Sequence, residues 1–255
     1  MQLVRRAPEV TVEVLVDPDD IRVARRLQAR RYLDSGFIDH VDSSGVIDDP
    51  WVDVSIYFGV TNTVGEILGV SRLIPYTAEA RLPVIEEFEL LATERTRFEA
   101  TDPATIAEVS ALAVSRQAKL AGGRVAAQLY RAMGHYSLLV DGRVDWYAAL
   151  DSRVMKQLVR TYGFLFEPIG PPRHYLGSPT VPARLNLFAQ ARHYSLSSAN
   201  RFELFADDLE FDLTGPEPRV RSVRGDHVPR TREGGRVLRL AAPEAGAIEL
   251  AAPSI

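Results

Sequence analysis

The chain has 255 residues, of which 46% are hydrophobic and 25% are charged, the ordinary balance of a soluble protein with room for a substantial core. Its formal net charge of −4 argues against a general nucleic-acid binder. The absence of cysteine excludes a thiol nucleophile, disulfide bonds and cysteine-based zinc sites.

No stretch of the sequence approaches the roughly 20 apolar residues that cross a bilayer. The N-terminal segment also lacks the long apolar run of a secretory signal. We therefore expect a cytoplasmic protein without an integral membrane segment. The five histidines, at positions 40, 135, 174, 193 and 227, show no pair at ligand spacing, so we expect no metal site.

The first half of the chain shows the two-residue period of strands, with one long helical stretch near its start. Its elements, in chain order, are predicted to be a strand at 10–16, a helix from Asp17 or Asp20, a loop at 38–50, a hairpin of strands at 52–60 and 67–76, a short helix or irregular cover at 83–92, and a strand at 105–114.

Strands and helices alternate in the second half, which favours a mixed central β-sheet flanked by helices. The predicted elements are a helix from Arg124 to about Tyr136, a strand at 143–150, a helix at 151–162 capped by Asp151 and ended by Gly163, strands in "FLFEPIG" and "RHYLGSP", and a helix from near Pro182. We expect one domain over 1–214. The polar composition of 215–255 indicates a linker and tail, either disordered or a short hairpin.

The stretch "IAEVSALAVSRQAKLAGGR", residues 106–124, combines features that a plain core strand does not need. In a strand, residues two apart share a face, so Glu108 and Ser110 are expected on one face together with Leu112 and Val114. A Gly-Gly turn then leads into a helix whose free N–H groups can bind phosphate. The basic side chains that could add charge to this cradle are Arg116, Lys119 and Arg124.

Three motifs together carry a resemblance to a known family. "GVSRLIP" ends one strand, "EVSALAVSRQ" follows some 30 residues later, and "YGFLFEPIG" comes after the next helix. In this order and spacing they resemble the GNAT-fold acyltransferases, above all the long-chain N-acyl amino acid synthases and the related acyl-homoserine-lactone synthases. The resemblance covers roughly residues 10 to 205. It implies a GNAT-like α/β fold and an N-acyltransferase.

The resemblance also implies roles for individual residues. Glu108 matches the general base of the family, and Ser110 matches the serine two residues later. On the acceptor side the implied residues are Arg72, the acids Asp49 and Asp53, and Arg30 or Arg31 with Tyr32. The pantetheine arm of the donor would be held by Leu112, Val114, Arg116, Gln117, Lys119, Gly122, Gly123 and Arg124, and Trp146 is either core or lining of an acyl tunnel.

Two departures from the family pattern bear on the expected donor site and on the expected acceptor. The pyrophosphate loop pattern is met only in part, since counting from Gln117 gives Leu120 and Gly122. The lactone synthases carry arginine directly after the serine, and here that position is Ala111. This departure favours an amino acid or another small amine as acceptor over S-adenosylmethionine.

The chemistry that follows is direct transfer. A carboxylate on a desolvated strand face can accept the amine proton and contributes about 10²–10⁴-fold to the rate, while backbone N–H groups from Leu112 to Val114 could stabilise the oxyanion. The cosubstrate is expected to be an acyl-phosphopantetheine on acyl carrier protein or an acyl-CoA, with no permanently bound cofactor. The alternatives are a short-chain GNAT acetyltransferase and a non-catalytic module that binds acyl groups or acyl carrier protein.

Overall fold

The computed structural model describes residues 10–118, 122–215 and 218–223. Its strands are β1 Val10–Leu15, β2 Ile56–Asn62, β3 Ile67–Pro75, β4 Ile106–Val114, β5 Asp145–Asp151, β6 Glu167–Pro168, β7 Arg173–Tyr175, β8 Ser178–Asn186, β9 Leu209–Asp212 and β10 Arg219–Ser222. Its helices are α1 Pro18–Asp34, α2 Pro83–Glu87, α3 Ala92–Ala100, α4 Gly122–Tyr136, α5 Ser152–Gln157, α6 Leu187–Ser197 and α7 Ala199–Ala206.

Eight strands form one mixed sheet in the order β1-β2-β3-β4-β5-β8-β6, with β7 paired to β8. The expected mixed sheet flanked by helices is confirmed. All neighbours run antiparallel except β4 and β5, whose parallel pairing joins only Ile106–Glu108 to Asp145–Tyr147. Beyond Glu108 these two strands separate, which opens a gap in the middle of the sheet.

A β-bulge interrupts β4 just past Glu108. Val70 pairs with Ala113 and Arg72 with Ser110, so Ser71 alone opposes two residues of β4. One of them, Ala111, has a φ of 59°, in the left-handed region that residues with a side chain rarely adopt.

The bulge corrects the expectation that Glu108, Ser110, Leu112 and Val114 share a face. One extra residue shifts the two-residue period, so Leu112 and Val114 pack with Val109 against the main core. Glu108 and Ser110 stay on the other side of β4. The alternation was therefore right up to the bulge and wrong beyond it.

Helices cover both faces of the sheet. The apolar stripe predicted for α4 is confirmed, because Val125, Leu129 and Met133 are fully buried in the main core. The helix approaches β3 closely at Gly69, where an added Cβ would overlap the side chain of Val125. On the opposite face Ala24 of α1 packs against the sheet. Every helix in the described part of the chain falls short of the length and apolarity that a bilayer crossing requires.

The helix predicted from near Pro182 is wrong. Residues Ser178–Asn186 form β8, and the helix begins at Leu187, where the side chain of Asn186 accepts from the Ala189 N–H at 3.0 Å. Pro182 is tolerated in this strand because its carbonyl accepts from Ile169 N at 2.9 Å, so the missing N–H faces β6, where pairing is short and irregular.

Smaller departures concern element ends. The predicted strand at 52–60 begins with a 3₁₀ turn at Val52–Val54, and α3 was not predicted as a separate helix. The helix capped by Asp151 does end at Gly163, which has a φ of 70°. Strand β10 lies within the predicted tail and pairs with β9, and residues 224–255 lie outside the described part of the chain.

Candidate active site

A cavity of about 780 Å³ lies where β4 and β5 separate, a size typical of small-molecule sites. Its wall includes residues from both faces of the sheet. On the α1 face it is lined by Tyr32, Asp49, Trp51, Arg72, Glu108 and Tyr175, and on the α4 face by Ala126, Tyr130, Leu150, Val154, Leu158 and Phe166. The gap in the sheet thus joins a polar lobe to an apolar lobe.

Glu108 stands at the junction of the two lobes and is only 2% exposed. Its Oε2 accepts a hydrogen bond from the backbone N–H of Val84 at 2.8 Å. Burial raises the pKa of this carboxyl from 4.5 to about 8, against the lowering effects of the Val84 N–H and of Arg72. A carboxyl with a pKa near neutrality can hold and release a proton at physiological pH.

Arg72 is held beside Glu108 by three partners. Its Nε donates to Ser110 Oγ at 2.9 Å, its Nη1 forms an ion pair with Asp49, and the same nitrogen lies 3.4 Å from the hydroxyl of Tyr57. Burial opposes the guanidinium charge, yet Asp49 and Tyr57 outweigh burial and raise the pKa of Arg72. The pairing of β3 with β4 sets this geometry, because Arg72 and Ser110 are register partners.

Helix α1 supplies the mouth of the polar lobe. Burial raises the pKa of Tyr32, so it is a neutral phenol there, and its ring meets Phe37 edge-on at 5.6 Å. Arg31 pairs with Asp34 at 3.1 Å. Arg116, from the turn after β4, reaches the same carboxylate at 3.2 Å, so two cations flank the opening.

The apolar lobe ends in a cluster of aromatic rings. Tyr130 of α4 lies 5.0 Å from Phe164, which lies 5.9 Å from Phe166. Neither Tyr130 nor Phe166 was predicted as a site residue. The signal that could have found Tyr130 is its helical spacing of four from Ala126, a second stripe beside the core stripe of α4.

The residues predicted to hold the donor arm fall into three groups. Leu112, Val114 and Arg116 line the cavity. Gly122 and Gly123 begin α4 and Gln117 lies in the 3₁₀ turn before it, outside the lining, as does the exposed Arg124. Lys119 and Leu120 lie outside the described residues.

The structure does not bring two of the candidate substrate-binding residues to the cavity, the acceptor-side Asp53 and Trp146, which was expected to be either core or acyl-tunnel lining. Asp53 is exposed on the 3₁₀ turn before β2, because that turn carries its side chain to the surface. Trp146 is only 1% exposed in the main core, and its indole N–H donates to Ser137 Oγ at 2.9 Å. Of the two positions expected for Trp146, core or acyl tunnel, it has the core position.

Comparison with known proteins identifies a family whose model matches this chain. The family model described as N-acyl amino acid synthase FeeM matches residues 23–186. Among curated proteins no significant match is found. The solved structure of FeeM from uncultured soil microbes is 22% identical, with a TM-score of 0.57 over 73% of this chain and 95% of that one.

Two acyl-homoserine lactone synthases are also similar in structure. BjaI, solved with SAM and isopentyl-CoA, is 18% identical, with a TM-score of 0.58 over 79% of this chain and 89% of that one. LasI is 16% identical, with a TM-score of 0.55 over 71% of this chain and 91% of that one. At these identities the likeness establishes the fold, which is the GNAT-like fold expected from the sequence.

Proposed function

The chain belongs to the FeeM family of N-acyl amino acid synthases, a family of acyltransferases, and from this membership we propose that it transfers an acyl group from a thioester to the amine of an amino acid. The observation that carries the proposal is the position of Glu108, a buried carboxyl at the junction of a polar and an apolar lobe. A thioester carbonyl at that junction would have an acyl chain on one side and an amine on the other.

The reaction needs one base and no covalent enzyme intermediate. The amine nitrogen attacks the thioester carbonyl, the new C–N bond forms, and the C–S bond breaks as the thiolate leaves. The carboxylate of Glu108 takes the proton that the amine loses, directly or through a water molecule. Its pKa of about 8 keeps both protonation states accessible near neutral pH.

The polar lobe suits an amino acid as the acceptor. Asp49, and Glu108 when it is ionised, attract the ammonium form of the amine, and the guanidinium of Arg72 balances the charge of Asp49. We infer that Arg72 and Asp49 orient the acceptor while Trp51, Tyr175 and other rings enclose its side chain. Because Asp49 already pairs with Arg72, this pair shapes the lobe without any movement of either side chain.

The donor would enter where β4 continues beyond the bulge. Leu112 and Val114 of this segment line the cavity, and Arg116 lies at its opening together with Arg31. Helix α4 begins at Gly122, and the free N–H groups of its first turn would be available to the pyrophosphate of coenzyme A or the phosphate of a carrier-bound arm. BjaI, which shares the fold, was solved with isopentyl-CoA, which favours CoA as one usable donor.

The apolar lobe favours an acyl chain longer than acetyl. Its walls are Ala126, Leu150, Val154 and Leu158, and the ring of Phe166 contributes to its lining. An acetyl group would leave most of this apolar wall uncovered, whereas a longer chain gains about 25 cal/mol for each Å² that it buries.

Mass spectrometry of small molecules from cells that express the chain tests the proposal. We expect a new N-acyl amino acid in cells with the wild-type chain, and its loss with Glu108→Gln. The control is Glu99→Gln, which changes an exposed carboxylate on α3 and should leave the product unchanged. The purified enzyme with acyl-CoA or acyl carrier protein then identifies the donor. A product that persists with Glu108→Gln would contradict the role of this carboxyl.

A further inference from the structure

Ser71 is a buried hydroxyl that the chemistry above does not use. It is 0% exposed, and on β3 it lies between Gly69 and Leu73, whose faces pack toward α4. A lone hydroxyl in such an apolar layer costs free energy unless it forms a hydrogen bond. Its Oγ donates to the backbone carbonyl of Ser110 at 2.9 Å, across to β4.

This hydrogen bond lies at the bulge. Ser71 is the residue of β3 that opposes two residues of β4, so the backbone ladder is disrupted beside it. The left-handed φ of Ala111 is unfavourable for a residue with a side chain and persists only where the surroundings hold it. The hydroxyl of Ser71 reaches the peptide immediately before that residue, and so supplies such a restraint.

Peptide geometry links the hydroxyl to the cavity. In a planar trans peptide the C=O and the N–H point in opposite directions. Because the Ser110 carbonyl is directed to Ser71 on β3, the N–H of Ala111 is directed to the other side of β4. On that side the pairing with β5 has ended at Glu108, and Ala111 lines the cavity.

We propose that Ser71 is a positioning residue, which holds the Ala111 N–H toward the thioester carbonyl so that it can donate to the oxyanion of the transition state. The inference rests on the proposed function. The same bond also steadies the other site contact of Ser110, since Ser110 Oγ accepts from Arg72 Nε at 2.9 Å. One hydroxyl on the α4 face of the sheet thus restrains the backbone and side-chain groups of Ser110 and Ala111 that line the cavity.

Kinetics of Ser71→Ala test the inference. We expect kcat to fall at least about tenfold, short of the roughly 10²–10³-fold loss of removing an oxyanion donor outright, with KM for both substrates within twofold. Ser71→Thr keeps the hydroxyl and should restore most of kcat. The matched control is Ser137→Ala, which removes an equally buried hydroxyl from Trp146, away from the cavity, and should leave kcat within twofold.

Crystal structures of the wild type and of Ser71→Ala provide a readout that does not need activity. We expect the peptide between Ser110 and Ala111 to rotate and the positive φ of Ala111 to be lost in the variant. A variant with unchanged kcat, or with this peptide in its wild-type orientation, would overturn the inference. An inactive wild type would instead count against the proposed function, and the two structures would still decide the role of Ser71.

Discussion

At the scale of single residues, burial raises the pKa of Glu108, and this shift also makes the stability of the fold depend on pH. The unfolded chain ionises this carboxyl near pH 4.5, whereas in the folded chain it holds its proton to about pH 8. Between these values the folded state binds more protons than the unfolded state, so the free energy of unfolding decreases as pH rises. This contribution to stability is complete below pH 4.5 and is lost as pH rises through 8.

Glu108→Gln should therefore be more stable than the wild type at high pH. Glutamine keeps an oxygen for the Val84 N–H and carries no charge. We expect the two proteins to be similar near pH 4.5 and the variant to gain on the order of 2–4 kcal/mol by pH 8.5. Urea unfolding at several pH values measures this difference, with Glu99→Gln following the wild type throughout. A difference that is constant with pH would contradict the burial argument.

The pair of Arg72 and Asp49 makes a second prediction. Their side chains are 7% and 10% exposed, so loss of one partner leaves the other charge buried without its counterion. We expect Asp49→Ala to lower the free energy of unfolding by about 3 kcal/mol. Adding Arg72→Met should recover at least half of that loss without restoring activity. Chemical denaturation of both variants measures these changes in the free energy of unfolding. An Asp49→Ala variant as stable as the wild type would refute the argument.

The sequence and its resemblance predicted much of this constellation. Glu108, Ser110, Arg72 and Asp49 are brought together as expected. The Val84 N–H that contacts Glu108 could not be foreseen, because backbone donors have no signature in the side-chain pattern. The bulge at Ala111 was equally hidden, since nothing in an alternating run of small residues marks where one residue is added.

At the scale of elements, a turn closes the polar lobe of the cavity. The hairpin of β7 and β8 turns through Leu176 and Gly177, with φ values of 44° and 68°. Its tip packs on the end of α1, where an added Cβ on Gly177 would overlap the carbonyl oxygen of Gly36. Leu176 and Phe37, one from each segment, line the cavity, so this contact shapes the lobe.

A comparison of Gly177→Ala with Gly65→Ala distinguishes the effect of the contact with Gly36 from the effect of backbone strain. Both glycines have a positive φ, but no atom lies within 4 Å of an added Cβ at Gly65. Gly65→Ala should cost about 1–2 kcal/mol of stability and leave KM unchanged. Gly177→Ala should cost more and raise KM for the amine about tenfold, equal to about 1.4 kcal/mol of binding. Equal KM values for the two variants would show that the tip does not shape the lobe.

Helices and strands were predicted well where the hydrophobic residues followed one clear periodicity. They were predicted poorly where the periodicity and a residue such as proline favoured different structures. Helix α4 and the hairpin of β2 and β3 follow directly from their patterns. The segment from Pro182 was misassigned because a proline can start a helix as well as stand in a strand whose neighbour on the side of the missing N–H is short and irregular. Asn186 was the better signal for the start of α6, since asparagine is a strong N-cap residue.

At the scale of the whole molecule, the cavity exists because one strand pair ends early. Only three residue pairs join β4 to β5, and past them the sheet opens and lets one space contact both faces. Sequence patterns predict which segments are strands but not where pairing stops, because register depends on contacts between distant segments. The early end of this pairing was therefore not predicted from the sequence.

The central claim is that Glu108 accepts the proton of the amine in this opening. The direct test is the pH dependence of thiol release by the purified enzyme, with the donor and amine identified by mass spectrometry. We expect the wild-type rate to rise through an apparent pKa near 8, and Glu108→Gln to be about 10²–10⁴-fold slower without that rise. A Glu108→Gln variant that releases thiol at the wild-type rate, with the same pH profile, would contradict the claim.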